Sequence, residues 1–244
     1  MDEMKSKVSI LKRVTQPLEG VEGLDGLIDR LSDSRLVLLG EASHGTHEYY
    51  TWRAALSRRL ILDHGFDFIA VEGDWPDFYR VNRFVKHQGE GVANPVKVLR
   101  EFNRWPTWMW ANWEMESLVG WLHGHNEKLP NDERVGIYGL DVYSLWESME
   151  AIMDYLKDHD PSLLPIAKRA IGCFEPFADE KGLAYAKSTQ RYLSKTCENE
   201  VISLLLGIKE RLATFNTDVE ASLNMEQNAH IARNAEKYFA PWSP

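Results

Sequence analysis

Residues 36–48 constrain the fold of this chain more than any other stretch. They read Leu36-Val-Leu-Leu-Gly-Glu-Ala-Ser-His-Gly-Thr-His-Glu48, so four apolar residues precede a glycine, a polar loop and the start of a helical pattern. A short apolar run bounded by glycine is typical of a buried strand. The order strand, loop, helix predicts an α/β fold, in which functional side chains collect at the carboxyl ends of the strands.

Two later stretches repeat the apolar run that ends in an acidic residue. A helical pattern over residues 47–63 leads to Asp67–Glu72, and a third run of this kind is Arg134–Asp141. A strand–helix–strand unit makes its two strands parallel, with a right-handed crossover. We therefore predict three strands whose carboxyl ends form one rim lined by carboxylates.

The rest of the chain is predicted to be helical, with patterns over residues 143–158, 161–173, 183–215 and 220–239. The predicted fold class is α/β, a three-layer α/β/α arrangement with a small, mostly parallel sheet and a large C-terminal helical subdomain. We expect one domain over residues 1–244, with an α/β portion at 1–141 and a helical portion at 142–244.

Three strands are few for a sheet that is covered on both faces, because sheets usually have about four to six strands. The sequence therefore favours a truncated version of a longer fold, in which later strands are absent. The alternative is a complete small sheet with a helical cap.

The composition argues against several classes of protein. A net charge of −9 disfavours nucleic acid or an anionic membrane as the main partner. The two cysteines, Cys173 and Cys197, give no disulfide framework and match no zinc motif. Residues 1–20 do not resemble a signal peptide, and no window approaches the roughly 18 apolar residues of a membrane span. We expect a cytoplasmic protein.

Glu41 and His44 follow the first predicted strand and lie three positions apart. Histidine works as a base near neutral pH, and a neighbouring carboxylate fixes its tautomer and stabilises its protonated form. The pair therefore indicates acid–base chemistry of a hydrolytic kind. The alternative is structural: Ser43 or Thr46 caps the following helix, and His44 faces solvent.

Glu72, Arg53 and Asp141 are candidates for the same rim. A carboxylate directly after an apolar run is costly to bury without a partner, so Glu72 indicates either function or a structural ion pair with Arg53. Arg53 could pair with Glu41 or Glu72, or it could stabilise an oxyanion. Asp141 ends the third predicted strand and is a weaker member of the rim.

Metal and nucleotide sites are less favoured. His44, His47 and Glu48 could be ligands, but their order is neither that of the His-Glu-x-x-His motif nor that of the His-x-x-Glu-His motif, and His123-Gly-His125 lies near a turn. The loop after the first strand lacks the glycine pattern of dinucleotide sites, and its acidic residue would repel a pyrophosphate. We expect no cofactor and no bound metal, with a metal-dependent hydrolase kept as an alternative.

At these motifs the sequence resembles the erythromycin esterase family over about residues 20–240. The pieces that carry the resemblance are separate in the chain and occur in the family's order: Leu39–Glu48, Arg53, Ala70–Asp74, Pro106–Trp110 and Tyr138–Asp141. The resemblance implies an α/β/α fold with a helical subdomain over the site. It also implies metal-independent hydrolysis of an ester or lactone in a small molecule, as in members that open macrolide rings.

The resemblance assigns roles to particular residues. His44 would be the general base that activates water, Glu41 and Glu72 would orient and polarise that water, and Arg53 would position a carboxylate or a substrate oxygen. Substrate-binding residues would be the aromatic side chains and the last acid of the rim: Trp75, Trp105, Trp108, Trp110 and Asp141.

The chain departs from the family at two points. The family has a second active-site histidine in an Ala-His-Asn-like segment that is absent here, and His230 is not its equivalent. Ala111 stands where an arginine usually follows the Trp-Met-Trp motif. These departures leave two hypotheses beside an active esterase: weak or lost catalysis, and a non-catalytic module that binds a small molecule. The sequence does not indicate an oligomeric state.

Overall fold

The computed structural model describes residues 2–15, 18–89, 94–104, 106–176, 196–212 and 219–239. These residues form two strands, β1 (Phe68–Asp74) and β2 (Gly136–Asp141). The α-helices of the described residues, in chain order, are α1 (Asp2–Val14), α2 (Asp25–Leu31), α3 (His47–His64), α4 (Trp75–Val85), α5 (Pro95–Leu99), α6 (Trp113–Asn126), α7 (Leu145–His159), α8 (Leu164–Phe174), α9 (Glu198–Leu212) and α10 (Val219–Phe239).

The sheet of the described residues is parallel and has two strands. Phe68 pairs with Gly136 and Val71 with Gly139, and the register shifts between Val71 and Asp74. Helix α3 leads into β1 through Gly65, whose φ of +69° is the left-handed conformation that favours glycine at a helix end. The predicted fold class, a small parallel sheet with a large helical part, is confirmed.

The prediction of a strand over residues 36–40 is wrong. This segment carries no strand assignment, and Leu36 and Leu38 are 66% and 85% exposed. Only its Val37 packs against a small apolar cluster, which α2 and α3 form with the preceding turn. An apolar run indicates burial, but a strand also needs a neighbour for its backbone hydrogen bonds. No described strand pairs with this segment.

Two larger apolar cores lie in the two portions of the chain. The first packs α3, α4, α5 and α6 against the sheet, with Phe78, Val81 and Leu122 fully buried beside Ile137. The second is formed by α7, α8, α9 and α10. Of the long helix predicted over 183–215, residues 183–195 and 213–215 lie outside the described residues, and the described part forms α9.

Polar contacts connect the helical portion to the sheet. Glu220 of α10 forms an ion pair with Lys86, and it accepts hydrogen bonds from Asn82 of α4 and from the Tyr138 hydroxyl of β2. The Trp75 indole donates to the Asn224 side chain over 2.8 Å. Helix α10 is therefore attached beside the strands by partly buried hydrogen bonds as well as by apolar packing.

Cys173 and Cys197 form a disulfide between the end of α8 and the start of α9, with 5.8 Å between their Cα atoms. The two cysteines thus form a single bridge rather than a framework of disulfides, and the sequence did not indicate this pairing, because the two distant positions meet only through the packing of helices. Among the described helices, none has the length and apolar character needed to cross a bilayer.

Candidate active site

Glu41, His44 and Arg53 meet in the loop before α3 and in the first turns of that helix. Nδ1 of His44 lies 2.7 Å from Oε2 of Glu41, and Nη2 of Arg53 donates to Oε1 of the same carboxylate over 3.1 Å. The Glu41 side chain is 13% exposed, whereas that of His44 is 44% exposed. The structure thus joins three of the predicted site residues through one carboxylate.

The hydrogen bonds determine what His44 can do. An ionised carboxylate only accepts hydrogen bonds, so the proton of the neutral ring lies on Nδ1 and the lone pair on Nε2. No described residue hydrogen-bonds to Nε2. The imidazole can therefore accept a proton at Nε2, while Glu41 stabilises the cation that results.

The loop that carries His44 is shaped by a turn and by an aromatic contact. Gly45 has a φ of +76°, a conformation that side-chain-bearing residues rarely adopt. A methyl group at this position would also lie 3.0 Å from Cζ3 of Trp108. The hydroxyls of Ser43 and Thr46 are 2.6 Å apart, so both are used inside the loop, and neither side chain caps α3.

Arg53 is held by its own helix as well as by Glu41. Its Nε donates to the Tyr49 carbonyl oxygen over 3.4 Å, and its Cζ lies 4.8 Å from the centre of the Tyr50 ring. Burial raises the pKa of the Tyr50 hydroxyl, while a hydrogen bond from the Gly45 backbone and the charge of Arg53 oppose this rise. The guanidinium is therefore held by Tyr49 and the Tyr50 ring, and it binds the oxygen of the Glu41 carboxylate that His44 does not contact.

A small, open pocket with a volume of about 60 Å³ lies at the carboxyl ends of the two strands. Its acidic lining comes from both strands and from α4: Glu72, Asp74, Asp77 and Asp141. Its aromatic wall is Phe78, Phe102 and Trp110. The predicted rim of carboxylates therefore exists at the ends of β1 and β2, although the third contributing strand does not.

Arg104 supplies positive charge in this pocket. Its Nη1 lies 2.7 and 2.9 Å from the two carboxylate oxygens of Asp74, and its Cζ lies 4.9 Å from the centre of the Tyr143 ring. Burial nevertheless raises the pKa of Asp74 to about 6, with the opposing effect of Arg104 second in size. Burial also raises the pKa values of Asp77 and Asp141, and the charge of Glu72 adds to the rise at Asp141.

Asp74, Asp77 and Arg104 were not among the residues selected from the sequence. Asp74 directly follows the Val-Glu-Gly segment of β1, so its place one position beyond Gly73 was a usable signal. Arg104 lies in a segment without helix or strand, and nothing in its sequence neighbourhood indicates that it meets Asp74. Such a contact depends on tertiary structure alone.

The predicted aromatic residues separate into different environments. Trp110 lines the pocket and donates from Nε1 to the Glu72 carbonyl oxygen over 2.7 Å, and Trp108 lies against the Gly45 turn. Trp75 is buried and stacks on Tyr138 with 5.5 Å between ring centres, so it packs against β2 and does not line this pocket. Trp105 lies outside the described residues.

The Glu72 carboxylate is not part of the Glu41–His44–Arg53 group. Its side chain forms no hydrogen bond or ion pair with any residue in the described ranges, and it is exposed at the pocket. Trp110 is the physical link between the two parts, because it contacts both Glu72 and the Tyr50 ring that supports Arg53.

The remaining histidines of interest have other partners. His47 pairs with Glu114 of α6, and this hydrogen bond raises the pKa of His47. His123 stacks on Phe84 with 4.4 Å between ring centres, and His125 stacks on Trp121. Across the ranges that the structure describes, no three His, Cys, Asp or Glu side chains are grouped so that they could hold a metal ion.

Comparison with known proteins identifies relatives of this chain. The chain is 25% identical over 158 residues to an erythromycin esterase type II of Escherichia coli, a match that covers 63% of this chain and 35% of that protein. Solved structures share the fold. A Bacillus cereus protein has a TM-score of 0.69 at 22% identity, covering 94% of this chain and 53% of its own.

Two further structures are similar. One is a succinoglycan biosynthesis protein, with a TM-score of 0.67 at 19% identity and coverage of 94% and 53%. The other is a mutant of the erythromycin esterase EreC in its open conformation, with a TM-score of 0.61 at 15% identity and coverage of 92% and 54%. The chain thus spans about half the length of these proteins and about a third of the curated relative.

The strongest assignment comes from the family profile described as erythromycin esterase, which matches residues 61–243. This range includes β1, β2 and the acidic pocket, and Glu41, His44 and Arg53 precede it. Because the match extends over most of the sequence, the chain belongs to the erythromycin esterase family.

Proposed function

We propose that this protein hydrolyses an ester or lactone bond in a small molecule, with His44 as the general base. The observation that carries the proposal is the hydrogen-bonded series Arg53–Glu41–His44, which leaves Nε2 of a half-exposed imidazole available. Membership of the esterase family supports the same reaction class. The first substrates to test are macrolide lactones, because the family and its Escherichia coli member are named for erythromycin.

The proposed reaction uses one proton carrier. Nε2 of His44 removes a proton from water while the water oxygen forms a bond to the carbonyl carbon. The tetrahedral intermediate then breaks its bond to the alcohol oxygen, which takes the proton from the imidazolium. The products are an acid and an alcohol, joined as one hydroxy acid when the substrate is a lactone. General-base catalysis of this kind contributes about 10²–10⁴-fold.

The other residues have supporting roles in this proposal. Glu41 orients His44 and stabilises its cation. Arg53 positions Glu41 through the hydrogen bond that it donates to this carboxylate. Glu72 orients the water or a substrate hydroxyl, because its carboxylate is exposed at the pocket without a protein partner among the described residues. Trp108, Trp110 and Asp141 contact the substrate. Trp75 has no part in the proposal, since it is stacked inside the protein.

We propose the cytoplasm as the location of this activity. A reducing cytoplasm keeps most cysteines as thiols, so this part of the proposal is in tension with the Cys173–Cys197 disulfide. Trapping of free thiols during lysis of the native cells, followed by mass spectrometry, decides whether the two cysteines are bonded there.

The experiment that tests the function is hydrolysis of erythromycin and a panel of simpler lactones and esters, followed by mass spectrometry for the addition of one water. The expected result is turnover that falls by about 100-fold or more in His44→Gln. His230→Gln is the matched control, because that histidine contacts Glu226 on α10 and has no role in the proposed reaction. An unchanged rate in His44→Gln contradicts the assignment of the base. Ligand-induced thermal stabilisation without turnover indicates a binding module instead.

A further inference from the structure

Tyr50 lies between the two parts of the candidate site. It belongs to the first turn of α3 and is 5% exposed. Its hydroxyl donates to the Met109 carbonyl oxygen over 2.8 Å, in the segment that forms a wall of the acidic pocket. One buried side chain therefore connects the helix that carries Arg53 to the opposite wall of the site.

One side of Tyr50 supports the base. The Arg53 guanidinium lies over its ring, with 4.8 Å from Cζ to the ring centre, and the same guanidinium binds Glu41, which binds His44. An aromatic face attracts a cation placed above it. The ring thus limits the positions that Arg53 can take while it holds the carboxylate.

The other side of Tyr50 contacts the pocket wall. Trp110 meets the Tyr50 ring edge-on, with 6.0 Å between ring centres and 75° between planes. The Trp110 indole in turn donates to the Glu72 carbonyl oxygen over 2.7 Å. The contacts therefore run without a break from β1 through Trp110 and Tyr50 to the histidine.

We propose that Tyr50 is a positioning residue for the hydrolysis, because it holds Arg53 against Glu41 on one side and the Trp110 segment beside Glu72 on the other. This inference rests on the proposed function for its catalytic consequence. Its structural consequence can be measured without a substrate: Tyr50 keeps His44 in the tautomer with the proton on Nδ1. Small displacements of catalytic groups can cost two orders of magnitude in rate.

The test uses three variants. Tyr50→Leu removes the ring, Tyr50→Phe keeps the ring and removes only the hydroxyl, and Tyr49→Leu is the matched control. Tyr49 is exposed, it precedes Tyr50 in the same helix, and only its backbone contacts Arg53. The first readout is kcat and KM for a hydrolysed ester. The second is the ¹⁵N chemical shifts of the His44 ring, measured at a pH above the range in which histidine titrates, because these shifts show which ring nitrogen carries the proton. The His44 signal is assigned by its loss in His44→Gln.

The expected result for Tyr50→Leu is a kcat lowered by about tenfold or more together with a smaller rise in KM, because the ring supports both the base and the Trp110 wall of the pocket. In the same variant the ¹⁵N shifts of His44 show a smaller fraction of the tautomer with the proton on Nδ1, which is the tautomer signature. Tyr50→Phe retains the signature and most of the rate, and Tyr49→Leu matches the wild type. A full rate and an unchanged signature in folded Tyr50→Leu overturn the proposal.

Failure of the proposed function is distinguishable from failure of this inference. If no ester or lactone is hydrolysed, the tautomer signature alone decides whether Tyr50 positions the histidine. If Tyr50→Leu does not fold, judged by circular dichroism, Tyr50→Met provides a side chain nearer in size for the same measurements. If neither variant folds, Tyr50 is a residue of the apolar core, and the inference is overturned.

Discussion

Arg104 holds both oxygens of the Asp74 carboxylate through one nitrogen, over 2.7 and 2.9 Å, and yet the pKa of Asp74 is raised to about 6. Burial is the main cause of the rise, and the charges of Asp77, Asp141 and Glu147 add to it. The attraction to a single guanidinium is therefore smaller than the combined cost of desolvation and of crowding acids at the ends of two strands. This imbalance has a measurable consequence for stability.

We expect Asp74 to destabilise the fold as the pH rises. Its pKa is higher in the folded protein, about 6, than the ordinary value of 3.8, so the folded state holds a proton that the unfolded state has released. The stabilisation is fully present below pH 3.8 and is lost as the pH passes through about 6. This difference in pKa corresponds to a change of at most about 3 kcal/mol in the free energy of unfolding between low and high pH.

Asp74→Asn should remove this pH dependence. The difference in unfolding free energy between wild type and variant, measured by chemical denaturation from pH 4 to pH 8, should then favour the wild type less as the pH rises. Asp33→Asn is the control, since Asp33 is exposed in a turn. A difference that stays constant over this range contradicts the prediction.

The pair formed by His47 and Glu114 gives a second titration. The hydrogen bond to Glu114 raises the pKa of His47 and lowers the pKa of Glu114, so both groups favour the charged pair. In Glu114→Gln we expect the pKa of His47 to fall, as followed by NMR of the ring. Glu116→Gln, on the same helix, should leave the titration of His47 unchanged. If the two variants lower the pKa of His47 equally, the raised pKa comes from the overall negative charge of the helix and not from the hydrogen bond to Glu114.

Local sequence patterns were sufficient for the elements whose order in the chain matches their packing. Helix α3, strands β1 and β2 and helix α7 occur close to where local sequence patterns predicted them. The three-residue spacing of Glu41 and His44 was likewise a local signal, and the structure joins these two residues directly. Short-range patterns suffice here because the interacting groups belong to one loop.

Contacts between distant segments could not be predicted in this way. Residues 36–40 have the composition of a strand, but the described chain provides no neighbour to pair with them. The contact of Arg104 with Asp74 and the bond between Cys173 and Cys197 each depend on how separate elements pack. Periodicity reports which face of an element is apolar, and it contains no information about which partner covers that face.

The disulfide should contribute substantially to the helical portion. It joins residues 24 positions apart, and closing a loop of this length in the unfolded chain is worth about 3 kcal/mol. We expect the double variant Cys173→Ala, Cys197→Ala to lose about this free energy of unfolding, and a reductant to lower the melting temperature of the wild type alone. Identical melting of oxidised and reduced wild type would mean that the bridge adds nothing to the packing of α8 and α9.

Gly73 allows Trp110 to approach β1. A methyl group at this buried position would lie 2.5 Å from Cε2 of Phe78 and 3.1 Å from Nε1 of Trp110, and both rings belong to the pocket wall. The backbone offers no relief, because the Trp110 indole is already bonded to the carbonyl oxygen of the preceding Glu72. Any residue larger than glycine must therefore displace one of the two rings.

We expect Gly73→Ala to lower the free energy of unfolding by about 1–3 kcal/mol, the usual cost of overpacking, and to change the fluorescence of the chain as Trp110 moves. Gly124→Ala is the matched control, because that helical glycine has no neighbour within 4 Å of the added methyl group. There the same substitution should stabilise the protein by about 0.4–1 kcal/mol, since alanine restricts the unfolded chain. If both variants are stabilised, Phe78 and Trp110 yield without cost, and the contact between Trp110 and β1 does not constrain the pocket.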